Sequence, residues 1–255
     1  MAHTRLPRAA KNSAIVAWRH SSNASCSCDN KTFSLPPYLL TVLHNFEHPH
    51  QNIKSLLVLG VGGHGRVVAE AALLQGKWVN VMASARSLPA FPSEFLPDVK
   101  LIEIDKAMQL DTAVHVAIGN NAARQSEAQA LGLEKLASVT HPSACVSAFS
   151  QISGGCFVAA GAVVAPAAKL GIGVIVNHGA VIDHDAEVGN FSHIAQRASV
   201  CGHAKLGQRV LVGCGAVVLS SVVLGDDVVL SAGSVASCDL LVPGVYNGIP
   251  AVKMD

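Results

Sequence analysis

The chain has 255 residues, enough for one or two domains, and a formal net charge of +1, which offers no electrostatic footing for nucleic acid or an anionic membrane. Only 14% of residues are charged, yet the uncharged stretch 136–168 is broken by His141, Pro142, Gln151 and Pro166 and repeats with a period of six. It is therefore not the run of about twenty apolar residues that a spanning helix needs, and no membrane insertion is expected. The seven cysteines are scattered without a C-x2-C pair, which argues against a zinc-binding pattern and fits a reduced, cytoplasmic protein that uses cysteine as a small core residue.

Residues 1–52 form a distinct leader. Arg5, Arg8, Lys11 and Arg19 precede the first acid, Asp29, and the segment carries Pro36-Pro37 and His48-Pro49-His50 without sustained periodicity. It has no apolar core of secretory type; a basic, Ser-containing transit segment is one reading, a disordered leader or an upstream start the favoured one.

Residues 53–140 read as a small α/β unit with a short, Rossmann-like parallel sheet. Strands are expected at 55–59, 79–82, 99–102 and 113–118, with helices at 66–75 and 122–131. Two glycine-bearing turns, Gly60-Val61-Gly62-Gly63-His64-Gly65 and Gly119-Asn120-Asn121, fall at strand C-termini, where open α/β sheets take their ligands. Gly60-x-Gly62-x-x-Gly65 matches the dinucleotide fingerprint, but the acid expected about twenty residues on is replaced by Ala83-Ser84-Ala85. A nucleotide sugar or other phosphate ligand at the helix N-terminus is favoured; a nicotinamide cofactor and a purely structural turn are the other readings.

From residue 146 to about 235 the chain repeats every six residues. Val146, Ile152, Val158, Val164, Leu170, Val176, Ile182, Val188, Ile194, Val200, Leu206, Val212, Val218, Leu224 and Leu230 are all aliphatic, and the position four residues after each is mostly Ala, Ser or Cys. Such a period marks an all-β left-handed parallel β-helix, with each six-residue unit one side of a triangular coil. Coils stacked at about 4.8 Å give a prism roughly 24 Å tall. Residues 141–255 form this second domain.

Polar residues cluster in the coils at Asn177-His178, Asp183-His184-Asp185 and Ser192-His193. His184 stands two positions after inward Ile182, so it projects outward; flanking carboxylates raise the basicity of such a histidine. It reads either as a general base or as a solvated surface histidine beside solubilising acids. The coil histidines 178, 184, 193 and 203 lack the pair five apart found in zinc lyases of this fold, so no metal is expected.

Gly60-Val-Gly-Gly-His-Gly65, Ile118-Gly-Asn-Asn121, His141-Pro-Ser-Ala144, Ile182-Asp-His-Asp185, Val188-Gly-Asn-Phe-Ser-His193 and Gly248-Ile-Pro-Ala-Val-Lys253 together resemble the bacterial nucleotide-sugar acetyltransferases of the sialic acid O-acetyltransferase and UDP-4-amino-sugar N-acetyltransferase type, over residues 55 to about 253. The resemblance implies an enzyme of surface-glycan biosynthesis with acetyl-CoA as co-substrate and a homotrimeric assembly whose cofactor cleft lies between adjacent prisms. It implies a catalytic base at His184, assisted by Asp185, and a nucleotide-sugar site at Gly62, Gly63, His64, Gly119 and Asn177. Acetyl-CoA contacts are implied at His193, Cys214 and Ala232. Amino-sugar members of the family carry acids where this chain has Ser84 and Ala85, and N- and O-acetylation both remain open. A non-catalytic β-helix scaffold is the alternative in a different class.

Overall fold

The computed structural model describes residues 55–86, 88–89 and 95–255; the expected leader, 1–52, lies outside them. The described residues belong to one compact unit. It opens with β1 (Leu56–Leu59), α1 (Gly63–Gln75), β2 (Val81–Ser84), β3 (Lys100–Leu101), α2 (Ile104–Ala107), β4 (Ala113–Val116) and α3 (Asn121–Leu131). The four strands are parallel in the order β3-β2-β1-β4, and central β1 is buried along its whole length.

The helices and sheet have the expected order, with shifted bounds. The helix start expected at residue 66 lies at Gly63, because the glycine turn folds directly into the first helical turn. The turn tolerates no side chain where it doubles back. A Cβ on Gly60, whose φ is 130°, would lie 2.6 Å from the Ala117 carbonyl oxygen, and a Cβ on Gly65 would collide with the Gly60 carbonyl. The strand expected at 79–82 lies two residues later. Its register is set by pairing with β1, Leu56 opposite Val81 and Leu59 opposite Ser84, which leaves Val79 exposed outside the sheet. The short α2 and a 3-10 turn at Leu133–Lys135 were not foreseen.

A left-handed parallel β-helix follows, its strands stacked in three parallel sheets. From Val139 to Ala236 pairing runs eighteen residues apart, as in Lys169 opposite Glu187, Ile175 opposite His193 and Val181 opposite Ser199. The period-six aliphatics from Val158 to Leu230 are buried, and Val146 and Ile152 are partly buried against the same core. The position four residues on is closed by small buried residues such as Ala162, Ala180 and Ala198, although Val174, Val210, Val222 and Val228 also fit it. The coils extend beyond the expected range. Val139–Thr140 pairs with Phe157–Val158 one coil earlier, where a threonine interrupts the aliphatic series. Gly244–Asn247 and Val252–Lys253 close the far end.

The corners carry a second period. From residue 155 to 233, every sixth residue has a positive φ, including Asp185 at 58°, Phe191 at 58° and His203 at 61°. Non-glycine residues pay about 1–2 kcal/mol in this conformation, and stacked corner hydrogen bonds such as His203 N–H to the His184 carbonyl, 3.1 Å, offset it.

The three flat faces differ. One, of alternating Gln151, Lys169, Glu187 and Lys205, is charged and solvated. A second presents Val163, Val181, Val217 and Val235, each half-buried. The third is covered at one end by the α/β lobe, where Val139, Phe157 and Ile175 share a core with Val68, Ala69 and Ala72 of α1. Among the described residues no helix is long and apolar enough to cross a membrane.

Candidate functional site

Two polar clusters are built by this fold. The first lies where the α/β lobe meets the prism. Gly62 caps α1, and both Gly62 and Gly63 are exposed with open space where a side chain would project. His64 follows, its ring edge-on to Phe157 at 5.4 Å between centroids and its Nε2 without a hydrogen-bond partner. Gly119, after β4, is exposed and equally open. From the prism side, Asn177 lies against His193, with 3.1 Å between Asn177 Nδ2 and His193 Nε2, while Asn177 Oδ1 accepts the His178 N–H. Burial pushes the pKa of His193 down to about 4, the charge of Arg124 adds to the effect and a hydrogen bond with the Gly119 backbone opposes it. Burial likewise pushes His64 down to about 3. Both rings are neutral at pH 7.

The second cluster is a prism corner. Asp185 Oδ2 accepts from His184 Nδ1 at 2.9 Å, and Asp183 Oδ1 accepts the His184 backbone N–H at 2.7 Å. The Asp185 hydrogen bond, then the charge of Asp183, raises the His184 pKa above its ordinary value; the same bond lowers that of Asp185. With its Nδ1 proton committed to the carboxylate, the ring presents the Nε2 lone pair. Its flat side rests on Gly202, one coil on, where a Cβ would lie 2.7 Å from Cε1 and 2.8 Å from Nε2. Gly202 has no positive φ, so the backbone does not demand glycine there; the ring does.

Cys214 and Ala232 stand on a different edge. The column His178, Gln196, Cys214 and Ala232 climbs the prism at one residue per coil, its corners joined by hydrogen bonds from Arg197, Gly215 and Gly233 N–H to the carbonyls below. Cys214 Sγ contacts Gln196 Oε1 at 2.9 Å. The column of Pro166, His184, Gly202 and Ser220 is separated from it by the valine-bearing face, six residues of extended chain or up to roughly 20 Å. One chain thus brings His193 together with the residues expected to hold sugar, and keeps His184 apart from Cys214 and Ala232.

Comparison with known proteins turns this geometry into a family assignment. The family model described as the PglD N-terminal domain matches residues 55–131. The acetyltransferase domain of PglB from Neisseria gonorrhoeae FA1090, solved with acetyl coenzyme A, is 33% identical, with a TM-score of 0.73 over 79% of this chain and 99% of that one. The chain belongs to the nucleotide-sugar acetyltransferase family of the hexapeptide-repeat superfamily. PerB from Caulobacter crescentus, solved with CoA and GDP-perosamine, is 28% identical, with a TM-score of 0.71 over 80% of this chain and 98% of that one. WeeI from Acinetobacter baumannii AYE, at 18% identity and a TM-score of 0.65 over 78% and 99%, shares the fold.

This member of the nucleotide-sugar acetyltransferase family also uses residues that the sequence did not announce. Arg124 of α3 is 1% exposed and has no carboxylate among its described partners. Its Nε donates to the Gly173 carbonyl at 2.8 Å; Nη1 donates to Ile118 and Gly119 carbonyls at 2.9 and 3.2 Å; Nη2 donates to Asn121 Oδ1 at 2.9 Å and to Phe191 and Ser192 carbonyls at 2.6 and 3.3 Å. Burial lowers its pKa to about 10, leaving it charged at neutral pH. It bolts the Gly119 turn to the coil that carries His193. Nothing in an alanine-rich helical stretch marks this arginine as buried. Ser84, at the end of β2, is fully buried with its Oγ unpartnered; Ala85 is half-buried beside it.

Proposed function

We propose that this protein transfers the acetyl group of acetyl-CoA to the amine of a nucleotide-linked amino sugar. The observation that carries the reading is the His184–Asp185 pair: an exposed imidazole with Nδ1 bonded to a carboxylate at 2.9 Å, which leaves Nε2 to carry the lone pair. The amine acceptor is supported by a relative described as GDP-perosamine N-acetyltransferase, 29% identical with a TM-score of 0.71, and the cofactor by relatives solved with acetyl-CoA or CoA. A sialic-acid-type hydroxyl is the less supported acceptor.

In this reading the nucleotide diphosphate lies at the N-terminus of α1, against Gly62 and Gly63, where free backbone N–H groups and the helix dipole favour anions. His64, Gly119 and Asn177 face the sugar, so the lobe at 53–140 selects the acceptor and the prism at 141–255 performs the chemistry. A protonated amine has no lone pair to offer. The amine therefore reacts in its neutral form: His184 Nε2 takes one of its protons as nitrogen attacks the thioester carbonyl, Asp185 stabilises the imidazolium, and collapse of the tetrahedral intermediate breaks the C–S bond, the CoA thiolate taking the proton back from His184 and leaving as the thiol. General base catalysis of this kind contributes roughly 10²–10⁴ in rate, and holding both substrates together contributes more. His193, neutral and joined to Asn177, borders the acetyl group; Cys214 and Ala232 contact CoA.

Cys214 and Ala232 lie on a different edge from the base, and the face between them carries Val163, Val181, Val217 and Val235 with a single Ser199 among them. We therefore infer a homotrimer in which one protomer's Cys214 edge meets another's His184 edge. The enzyme works in the cytoplasm, where acetyl-CoA is at hand and exposed thiols such as Cys145 and Cys214 stay reduced. Thiol release from acetyl-CoA, followed with nucleotide-linked amino sugars, is the test. Turnover is expected with an amino sugar; its absence with every amino and hydroxy sugar would leave a non-catalytic scaffold. An active monomer in light scattering would remove the trimer.

A further inference from the structure

The His184 corner holds a third donor that acyl transfer does not need. His203 lies eighteen residues beyond Asp185, so the coil repeat stacks one above the other, both in the positive-φ corner position. His203 Nε2 is 3.8 Å from Asp185 Oδ2, and the two imidazole rings meet edge-on with centroids 5.3 Å apart. His184, Asp185 and His203 each offer one ligand atom, and all three atoms lie within 4.8 Å of one another. All three side chains are about half-exposed, at 55%, 46% and 62%.

We propose that His184, Asp185 and His203 form a site for a divalent transition metal of the zinc type, and that the bound ion inhibits the enzyme. Two imidazoles and one carboxylate are the donors Zn²⁺ prefers among nitrogen and oxygen ligands, and three protein ligands with a solvent-facing fourth position are an ordinary zinc environment. Tetrahedral bonds of about 2.0–2.1 Å put ligand atoms about 3.3 Å apart. Two of the three separations, 2.9 Å from His184 Nδ1 to Asp185 Oδ2 and 3.8 Å from Asp185 Oδ2 to His203 Nε2, bracket that value and the third is no more than 4.8 Å, so side-chain rotations close the site. The ion is not a cofactor. If Nδ1 of His184 takes the metal, the ring's proton moves to Nε2 and no lone pair remains for the acceptor amine. If Nε2 takes it, the lone pair is occupied directly. Either way no bond of the substrate changes and the base is blocked.

Binding stands on the geometry alone; inhibition rests on His184 being the base, as proposed above. The experiment separates them. Full-length wild type and His203→Asn are titrated with Co²⁺ without substrates, then assayed with Zn²⁺ and afterwards with a chelator. Asparagine tolerates the positive φ, and His203 takes no part in acyl transfer, so basal turnover should be kept. We expect Co²⁺ to show ligand-field absorption in wild type that His203→Asn loses. Zn²⁺ should inhibit wild type reversibly, and the variant should need at least tenfold more. Equal Co²⁺ spectra in both proteins, or an intense thiolate band that the substitution leaves unchanged, would overturn the site while leaving the base role standing. His203-dependent Co²⁺ binding with turnover indifferent to Zn²⁺ would overturn the inhibition and, with it, His184 as the base.

Discussion

His184 and His193 stand nine residues apart on one prism, and their surroundings push their proton affinities in opposite directions. At the solvated corner, Asp185 and Asp183 favour the imidazolium, and the His184 pKa is raised. Under the α/β lobe, burial dominates: His193 falls to about 4, His64 to about 3 and His115 to about 4. A base that must take a proton near neutral pH needs the first environment; a ring that must stay neutral and hydrogen-bond a substrate needs the second. The contrast assigns work to histidines that composition alone cannot tell apart.

The comparison breaks most directly at His184. Replacing it with Ala should lower kcat by roughly 10²–10⁴. The KM for acetyl-CoA and the thermal midpoint should scarcely change, because the side chain is exposed and leaves no cavity. A folded variant with wild-type kcat would return His184 to the surface.

Next in size is Arg124→Met, which strips the joint of its buried donors and leaves several carbonyls unsatisfied. We expect a loss of about 3 kcal/mol, read from denaturant midpoints, with the KM for the sugar nucleotide rising as the Gly119 turn loosens. An unchanged midpoint would sink the view that Arg124 bolts lobe to prism.

Gly202→Ala should be smaller and more specific. Its new Cβ meets the His184 ring, the movable end of a side chain, rather than backbone. The expected outcome is a roughly tenfold or greater fall in kcat, of the kind sub-ångström misplacement of a catalytic group produces, with little change in stability. In a His184→Ala background the same substitution should cost nothing further; an additional loss there would mean Gly202 acts by another route.

Asp185→Asn probes the raised side of the contrast. The base works deprotonated, so activity falls as pH drops through its pKa. Without the carboxylate that pKa falls, and the acid limb of kcat/KM should move to lower pH, with a reduced plateau. A limb that stays in place would separate Asp185 from the titrating group.

The depressed side predicts a stability effect. His64, His115 and His193 bind protons near pH 6.5 when unfolded, but only near 3–4 when folded. Between those limits the unfolded state holds more protons, so stability is highest above about pH 6.5 and declines as pH falls toward 4. Urea midpoints at pH 7.5 and 5.0 should show the decline, and His193→Gln should flatten it; identical slopes would exclude His193 as a contributor.

Much of this was legible along the chain, because a repeat with short local rules writes its structure into its spacing. The run of period-six aliphatics from Val158 to Leu230 gave the core. The two-residue offset from Ile182 gave the outward direction of His184, and adjacency gave its bond to Asp185. The eighteen-residue step that brings Gly202 and His203 to the same corner follows from the same repeat.

What depended on tertiary structure was everything set by docking one element on another. Thr140 and Val139 reverse the hydrophobic phase because α1 covers the outer face of that strand. Arg124 is buried because α3 lands on the Gly173 and Phe191 corners, a contact spanning 49 and 67 residues. His193 is neutral because burial, with the charge of Arg124 beside it, disfavours the imidazolium, and Ser84 is buried at the end of a strand that pairs with β1, Ser84 itself opposite Leu59. Period and adjacency are local properties of a chain. Burial belongs to a surface made by residues distant in sequence, and it is burial, through desolvation, that keeps His64, His115 and His193 neutral.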